Sequence, residues 1–481
     1  MYKEKSLRKN FVLNITRTLM NIIFPLITFR YVSRILMPEG MGKVNFAMSL
    51  IAYFVLISGV GISTYGIRET AKLRHDKEKL SKLVQELFII NMIATVITYL
   101  LFLIYMLIPG DFNNNKEILI IMSTTILFTT IGVEWLYNGL EEYSYITIRS
   151  IAIQCISLVL LFIVVKTKGD YINYSMLLVF SSVGSNVLNF LHARKYINFK
   201  KYKDYEFKRH LKPMAIMYAM NITGAIYLNL DAVMLEYMHG DVAVGLYTAA
   251  MKINKIVLAV VMSMGTVLMP RLSYCFNSGQ KEKFNVLVGK SLDLMLIIAL
   301  PSIVGLSLLS NEIILFISGK DFIAATLAMK ILNPIILIIA LSHLIGIQIL
   351  VCVGKERYTL YSFGAGAVAS FLLNLILIPK FSYNGAAVAT LVAESCVTLT
   401  QVYFGWEYIK DKIFTKSKIS YILGSLLIII VVYSVKKVFT SNIYILLVSI
   451  ILSAFVYAIT LIVLKDEFAK EITNKLKTFI K

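Results

Sequence analysis

Apolar runs of about 20 residues recur along this whole chain between short polar connectors, and each is long enough to cross a ~30 Å hydrocarbon core. In lipid such runs must be helical, because every backbone amide has to find its partner within its own segment. Of the 481 residues 58% are hydrophobic, against ~45–50% in soluble domains, more apolar surface than a water-soluble fold could bury. The expected fold class is an all-α polytopic membrane protein. Its spans read 11–34, 44–64, 83–108, 117–138, 147–166, 171–193, 211–236, 243–269, 286–309, 326–349, 359–379, 384–406, 417–434 and 442–464, about fourteen helices.

The first apolar segment passes through Asn14, Arg17, Asn21 and Arg30 without a small-residue cleavage site, so it is expected to stay in the protein. Cys155, Cys275, Cys352 and Cys396 stand singly, without metal-ligand spacing, and are expected to be free packing residues. No metal, disulfide or cofactor is expected.

Alternate connectors collect the basic residues, as cytoplasmic segments do. One set carries Lys3, Lys5, Arg8 and Lys9, then Arg68 through Lys82, Arg194 through Lys212, Arg271 through Lys290, Lys355, Arg357, Lys410 through Lys418 and the Lys-rich tail. Both termini are thereby expected in the cytoplasm, the chain crossing the bacterial cytoplasmic membrane many times. Trp135 and Trp406 fall at the same interface, where amphipathic rings are favoured. The formal charge of +20 is thus mostly this bias plus attraction to anionic lipid heads. Nucleic-acid binding is a poor alternative, since no basic segment sits in a soluble domain of its own.

A shift of about 203 residues lays Gly42 on Gly245, and about 204 lays Lys77-Glu78-Lys79 on Lys281-Glu282-Lys283. Six helices per half in the same orientation predict two lobes related by an axis along the membrane normal. The expected organisation is an N-lobe over 1–205, a C-lobe over 206–408, and two further helices with a cytoplasmic tail over 409–481. Two such lobes imply a central cavity opening alternately to either side, the architecture of a transporter.

Ionisable groups inside spans are costly and mark candidate sites. In the first helix Asn14, Arg17, Thr18, Asn21, Pro25 and Thr28 draw one polar stripe, with Pro25 a bend point near mid-membrane; Pro301 and Pro334 offer the same in the ninth and tenth. Asn221, Gly224, Tyr227 and Asp231 form a comparable stripe in the seventh helix. Lys252 and Lys255 lie one turn apart in the eighth, and Asp231 and Lys252 reach similar depths from which to bridge. Arg17, Arg30, Lys252, Lys255 and Lys330, with Asn21 and Asn221, are candidate partners for a phosphate-bearing substrate; the plainer alternative is snorkelling or a structural ion pair. Glu394, the deepest acid, and Asp231 are candidates for H+ or Na+ coupling, the alternative for Glu394 being a hydrogen-bonded packing residue. Glu134 and Asp293 are read as snorkelling or capping groups.

The stretch from Arg30 to Arg74, with Tyr31-Val32-Ser33-Arg34, Gly40, Gly42, Phe46 and Gly61-Ile62-Ser63-Thr64-Tyr65-Gly66-Ile67-Arg68-Glu69, resembles Wzx-type polysaccharide flippases of the multidrug/oligosaccharidyl-lipid/polysaccharide exporter superfamily. Glu134-Trp135, Gly139-Leu140-Glu141, Asp231, Gly245-Leu246-Tyr247, Lys252 and the run from Leu373 to Glu394 extend the likeness over nearly the whole chain. The resemblance implies a V-shaped bundle that turns an undecaprenyl-diphosphate-linked oligosaccharide from the cytoplasmic to the outer leaflet, alongside polymerase and glycosyltransferases and as a monomer. Alternatives in the same superfamily are a drug or small-cation exporter, whose cargo favours an acid-lined cavity, and a lipid II-type flippase. A membrane glycan polymerase or glycosyltransferase fits less well, because no connector exceeds about 20 residues.

Overall fold

A computed structural model describes residues 7–108, 115–413, 416–464 and 466, with side chains throughout these except 7–22, 216, 219–228, 264–267, 413 and 416–417. Every regular element among the described residues is helical. In order they are α1 (Leu7–Gly59), α2 (Ile62–Leu73), α3 (Lys77–Leu107), α4 (Lys116–Ile131), α5 (Glu134–Gly139), α6 (Tyr143–Val164), α7 (Tyr171–Val183), α8 (Asn186–Ala193) and α9 (Lys208–Asn277). There follow α10 (Lys281–Leu308), α11 (Ser310–Ile317), a 3₁₀ turn (Lys320–Phe322), α12 (Ala325–Leu332), α13 (Ile335–Ser342) and a π-helical stretch (His343–Leu350). The last three are α14 (Glu356–Ile413), α15 (Lys416–Val438) and α16 (Asn442–Val463).

Eleven helices among the described residues are long and apolar enough to cross a bilayer. Three of them, Ile23–Gly59, Asn229–Ser263 and Glu356–Lys412, are longer than one crossing needs. Each contains one residue outside helical geometry: Met37 (φ 58°, ψ 179°), Gly240 (φ 73°, ψ −175°) and Ser382 (φ 51°, ψ −134°). Each is therefore two helices joined by a tight reversal, a division that accommodates the fourteen expected spans. The polytopic helical fold stands, and its surface suits lipid: Ile451, Phe455 and Ile462 of α16 are all exposed, 57–66%, an apolar face of a kind that monomeric soluble proteins rarely leave open.

The sequence repeat has structural counterparts. Met37 and Gly240 are 203 apart and take the same backbone turn, and α3 and α10 begin on the matching Lys77 and Lys281. The Asp76 side chain caps α3, accepting from the backbone N–H groups of Glu78 and Lys79. Those bonds, Lys79 foremost, hold its carboxyl below the usual carboxylate range. Asp170 is held low in the same way by the N–H groups of Lys166 and Thr167 ahead of α7.

Sequence spans and structure part in several places. The fourth span breaks at Val133 (φ 35°), separating α4 from α5, and the tenth breaks before Pro334, which supplies the bend expected there. Residues 62–73 form a helix of their own after a reversal at Val60 and Gly61. Trp135 is not an interface anchor: it is 7% exposed and packs on Gly66, where an added Cβ would meet its ring at 2.6 Å. All four cysteines are free, with Cys155 exposed.

Two compact units divide the chain at Gly245 and Leu246, one helix after the lobe boundary expected at 205. In the first unit α4 packs on α1, α3 and α7, and α2 on α3 and α5. A core of Ile62, Leu83, Leu87, Leu136, Tyr137 and Met214 closes its basic end. In the second, α14 packs on α12 and α13, and α15 lies between α10 and α16. Two ion pairs fasten α15: Lys418 to Asp293 at 2.9 Å and Lys436 to Glu312 at 2.7 Å. Asp293 is thus a paired group, not a snorkelling one. Glu312 is only 5% exposed, so Lys436→Met is expected to cost about 3 kcal/mol by stranding a buried carboxylate. The double variant Lys436→Met with Glu312→Leu should recover most of it; unchanged unfolding midpoints in both would show that the pair holds nothing.

Candidate functional site

At the end of the first unit away from its basic core, the two equivalent reversals meet. A Cβ on Gly42 would collide with the carbonyl of Asp241, and one on Gly245 with the carbonyl of Pro38. Pro38 and Asp241 are themselves 203 apart, so the contact is reciprocal, each turn presenting the same surface to the other. Polar groups frame it. The Asn115 amide donates to Glu236 Oε1 (2.9 Å) and Asp241 Oδ1 (3.2 Å). Lys43 donates to Glu39 at 2.9 Å while lying 5.0 Å from the centre of the Tyr171 ring.

Of the expected binding residues, the side chains of Arg17, Asn21 and Asn221 lie outside the described residues. Pro25 is half-buried within α1, and the Thr28 hydroxyl donates back to the carbonyls of Phe24 (3.1 Å) and Pro25 (3.2 Å). Arg30 and Arg34 are both exposed, one turn apart on α1 before the Met37 reversal. Asp231 is buried at 7% exposure, within electrostatic reach of the Tyr53 phenol in the same unit. In the second unit Lys252 is half-buried and Lys255 exposed, successive turns of one face of α9. Their depth is mid-span: Lys252 stands about 18 Å along the helix from Gly240. Glu394 is buried at 8% exposure on α14, and Lys330 is exposed.

Two buried networks escaped the sequence reading. In the first, Glu86 is fully buried and its two oxygens serve three partners: the Glu206 backbone N–H (2.7 Å), His210 Nε2 (2.8 Å) and Arg209 (2.8 Å). His210 Nδ1 in turn meets the Tyr65 hydroxyl at 2.7 Å. The residue pattern held a signal, since Glu86 shares its helix face with Leu83 and Leu87. The second network is uncharged. Ser291 donates to Gln348 Oε1 (2.7 Å), the Gln348 amide reaches His343 Nδ1 (3.2 Å), and Gln401 donates to the Ser362 hydroxyl (2.9 Å). The π-helical stretch lets the Gly346 carbonyl accept from the Thr359 hydroxyl at 3.0 Å. Among the described residues, no group of three or more His, Cys, Asp or Glu could hold a metal ion.

Comparison with known proteins agrees with this picture. The polysaccharide biosynthesis protein family profile matches residues 7–276, and the MatE profile matches 215–376. A putative O-antigen transporter of Escherichia coli K12 is 24% identical over 409 residues, covering 83% of this chain and 96% of the relative. The lipid II flippase MurJ in an inward closed conformation superposes with a TM-score of 0.76 at 17% identity, over 96% of this chain and 100% of that one. An inward-facing multidrug resistance MATE family transporter of the MOP superfamily does so at 0.60 and 13%, over 83% and 98%. These last two likenesses establish a shared fold. With its profile match spanning more than half of the residues, the chain belongs to the polysaccharide biosynthesis protein family, the Wzx-type grouping its motifs resemble.

Proposed function

We propose that this protein is a flippase that carries an undecaprenyl-diphosphate-linked oligosaccharide from the cytoplasmic to the outer leaflet by alternating access, for surface polysaccharide biosynthesis. The observation that carries the reading is the Lys252–Lys255 pair, cations on one face at mid-span, in a chain whose relatives include a putative O-antigen transporter. A diphosphate with its sugars needs a polar, cationic path while its lipid tail stays in hydrocarbon, and stacked cations supply charge-assisted hydrogen bonds to phosphate oxygens. Arg30 and Arg34 extend basic character along α1, with Arg17, Asn21 and Asn221 as further candidates on the two polar stripes. Asp231 and Glu394, both buried, are the acids we assign to coupling transport to H+ or Na+, with Pro25 a candidate gating point in α1. A drug exporter of small cations would want the opposite polarity in its path.

On this reading both termini lie in the cytoplasm, and the chain is organised as the repeats 1–205 and 206–408 with 409–481 outside them. The protein works as a monomer that moves cargo without transforming it, handing it to a polymerase after glycosyltransferases have built it.

The test is flipping of a fluorescent undecaprenyl-diphosphate oligosaccharide in vesicles containing the purified chain. Lys252→Ala with Lys255→Ala is expected to slow flipping by about tenfold or more, the worth of one or two charge-assisted bonds, whereas Lys252→Arg with Lys255→Arg keeps most of the rate. Equal rates in all three proteins, or export of a cationic dye in place of the glycolipid, would overturn the assignment.

A further inference from the structure

The two halves treat the groove beside their third helix differently. In the first half the segment linking the repeats fills it: the backbone N–H of Asn198 donates to Ser81, Gln85 donates to the carbonyls of Asn198 (2.8 Å) and Lys200 (3.1 Å), and Glu86 holds the Glu206 amide and Arg209. In the second half the equivalent face of α10 carries Lys290 where Glu86 stands. Beside it is an open cavity of about 700 Å³ between the end of α9 and the start of α10, within the roughly 300–1,000 Å³ of small-molecule sites.

The cavity's chemistry is amphipathic. Arg271, Lys283 and Lys290 line it with a single acid, Glu282, while Tyr274, Cys275, Val286 and Leu287 supply apolar wall. Tyr274 is 67% and Val286 57% exposed, so the wall continues onto the outer surface of the unit. Just beyond it the stem of Lys412 lies against Gly289, adding a further cation. The helix ends place all of this where the apolar spans give way to the charged connector, at the depth of lipid phosphates. Sulfate-like or nucleotide anions would have no use for the apolar wall, and an acyl chain alone no use for the cations.

We infer that this cavity is a binding site for an anionic phospholipid of the leaflet at that end, its phosphate held by Arg271, Lys283 and Lys290 and the first part of its chains lying on Tyr274 and Val286. The site is separate from the mid-span cations assigned to transport. A resident lipid there does for the second half what the connecting segment does for the first: it fills the groove beside the third helix.

Native mass spectrometry of the full chain, delipidated and then titrated with phosphatidylglycerol or phosphatidylcholine, tests this. Phosphatidylglycerol should add one tightly held molecule that phosphatidylcholine does not. Each cation near an anionic lipid is worth about fivefold in affinity, so Arg271→Gln with Lys283→Gln should weaken that molecule by about 25-fold. An unchanged unfolding midpoint in phosphatidylcholine shows that the variant is folded; if it is not, Lys283→Gln alone is read against its own fivefold expectation. Equal uptake of the two lipids, or affinity indifferent to the substitutions, overturns the site. So does displacement of phosphatidylglycerol by an undecaprenyl-diphosphate oligosaccharide at equal concentration, which would make the cavity part of the cargo path. Competition by soluble inorganic pyrophosphate alone, with no preference between lipids, marks an anion site and overturns the lipid assignment equally.

Discussion

Gly42→Ala and Gly245→Ala should each cut glycan flipping by tenfold or more and lower unfolding stability, because each methyl lands on a main-chain carbonyl of the opposing turn. Overpacking against side chains costs about 1–3 kcal/mol when they can rotate away. Here the obstructing atoms are the carbonyl groups of Asp241 and Pro38, which move only if a whole helix end moves. The turns must part, and neither variant can restore their contact. The reciprocity gives a sharper expectation than either change alone: the two single variants should match in effect, and the double variant should cost less than their sum, since the first substitution has already separated the turns. For an alternating carrier, forcing them apart raises the population of whichever conformer holds them separate. Flipping rates and unfolding midpoints of all three variants check this; wild-type values in both single variants would show that the native protein does not keep this contact.

Much of the fold was legible because the bilayer leaves few choices. The starts of α3 and α10 stood out as a repeated Lys-Glu-Lys after polar residues, and the reversal at Met37 falls in the gap between the spans read as 11–34 and 44–64. Other breaks left no such mark. Val133 turns left-handed between Gly132 and Glu134, and nothing in its side chain announces a conformation that costs a β-branched residue ~1–3 kcal/mol. Trp135 was misplaced because its apparent depth suited an interface, whereas the deciding fact is the missing side chain of Gly66, remote in sequence. A search for charges inside spans found Asp293 but not its partner Lys418, set by how α15 folds back on α10. The same search passed over Gln348 and Gln401, which carry no charge. It passed over Glu86 too, whose three partners come from one stretch of the connecting segment.

Glu86→Ala is expected to be the most damaging single substitution in that segment's anchorage. It removes the acceptor for the Glu206 amide, for His210 Nε2 and for one arm of Arg209 together. Arg209 is 44% exposed in its side chain and can turn to water, but His210 is 1% exposed, so the cost falls on the imidazole and the amide. Breaking a buried pair in this way costs about 3–5 kcal/mol. Glu86→Gln keeps one oxygen to accept and offers an amide in place of the other, so about 1–2 kcal/mol is expected from the lost charge-assisted bonds. Tyr65→Phe leaves His210 bonded to Glu86 and removes only the hydroxyl at Nδ1, for about 1 kcal/mol. Because 206–210 leads directly into α9, the network fixes where the second repeat departs from α2 and α3, and its loss should release the connecting segment before it unfolds the spans. Limited trypsin cleavage after Lys200, Lys201 and Lys203 reads that release directly. It should quicken most in Glu86→Ala, less in Glu86→Gln and least in Tyr65→Phe, with unfolding midpoints falling in the same order. Cleavage as slow as wild type in Glu86→Ala would mean that the segment is held by its packing alone and that the charges in the groove are along for the ride.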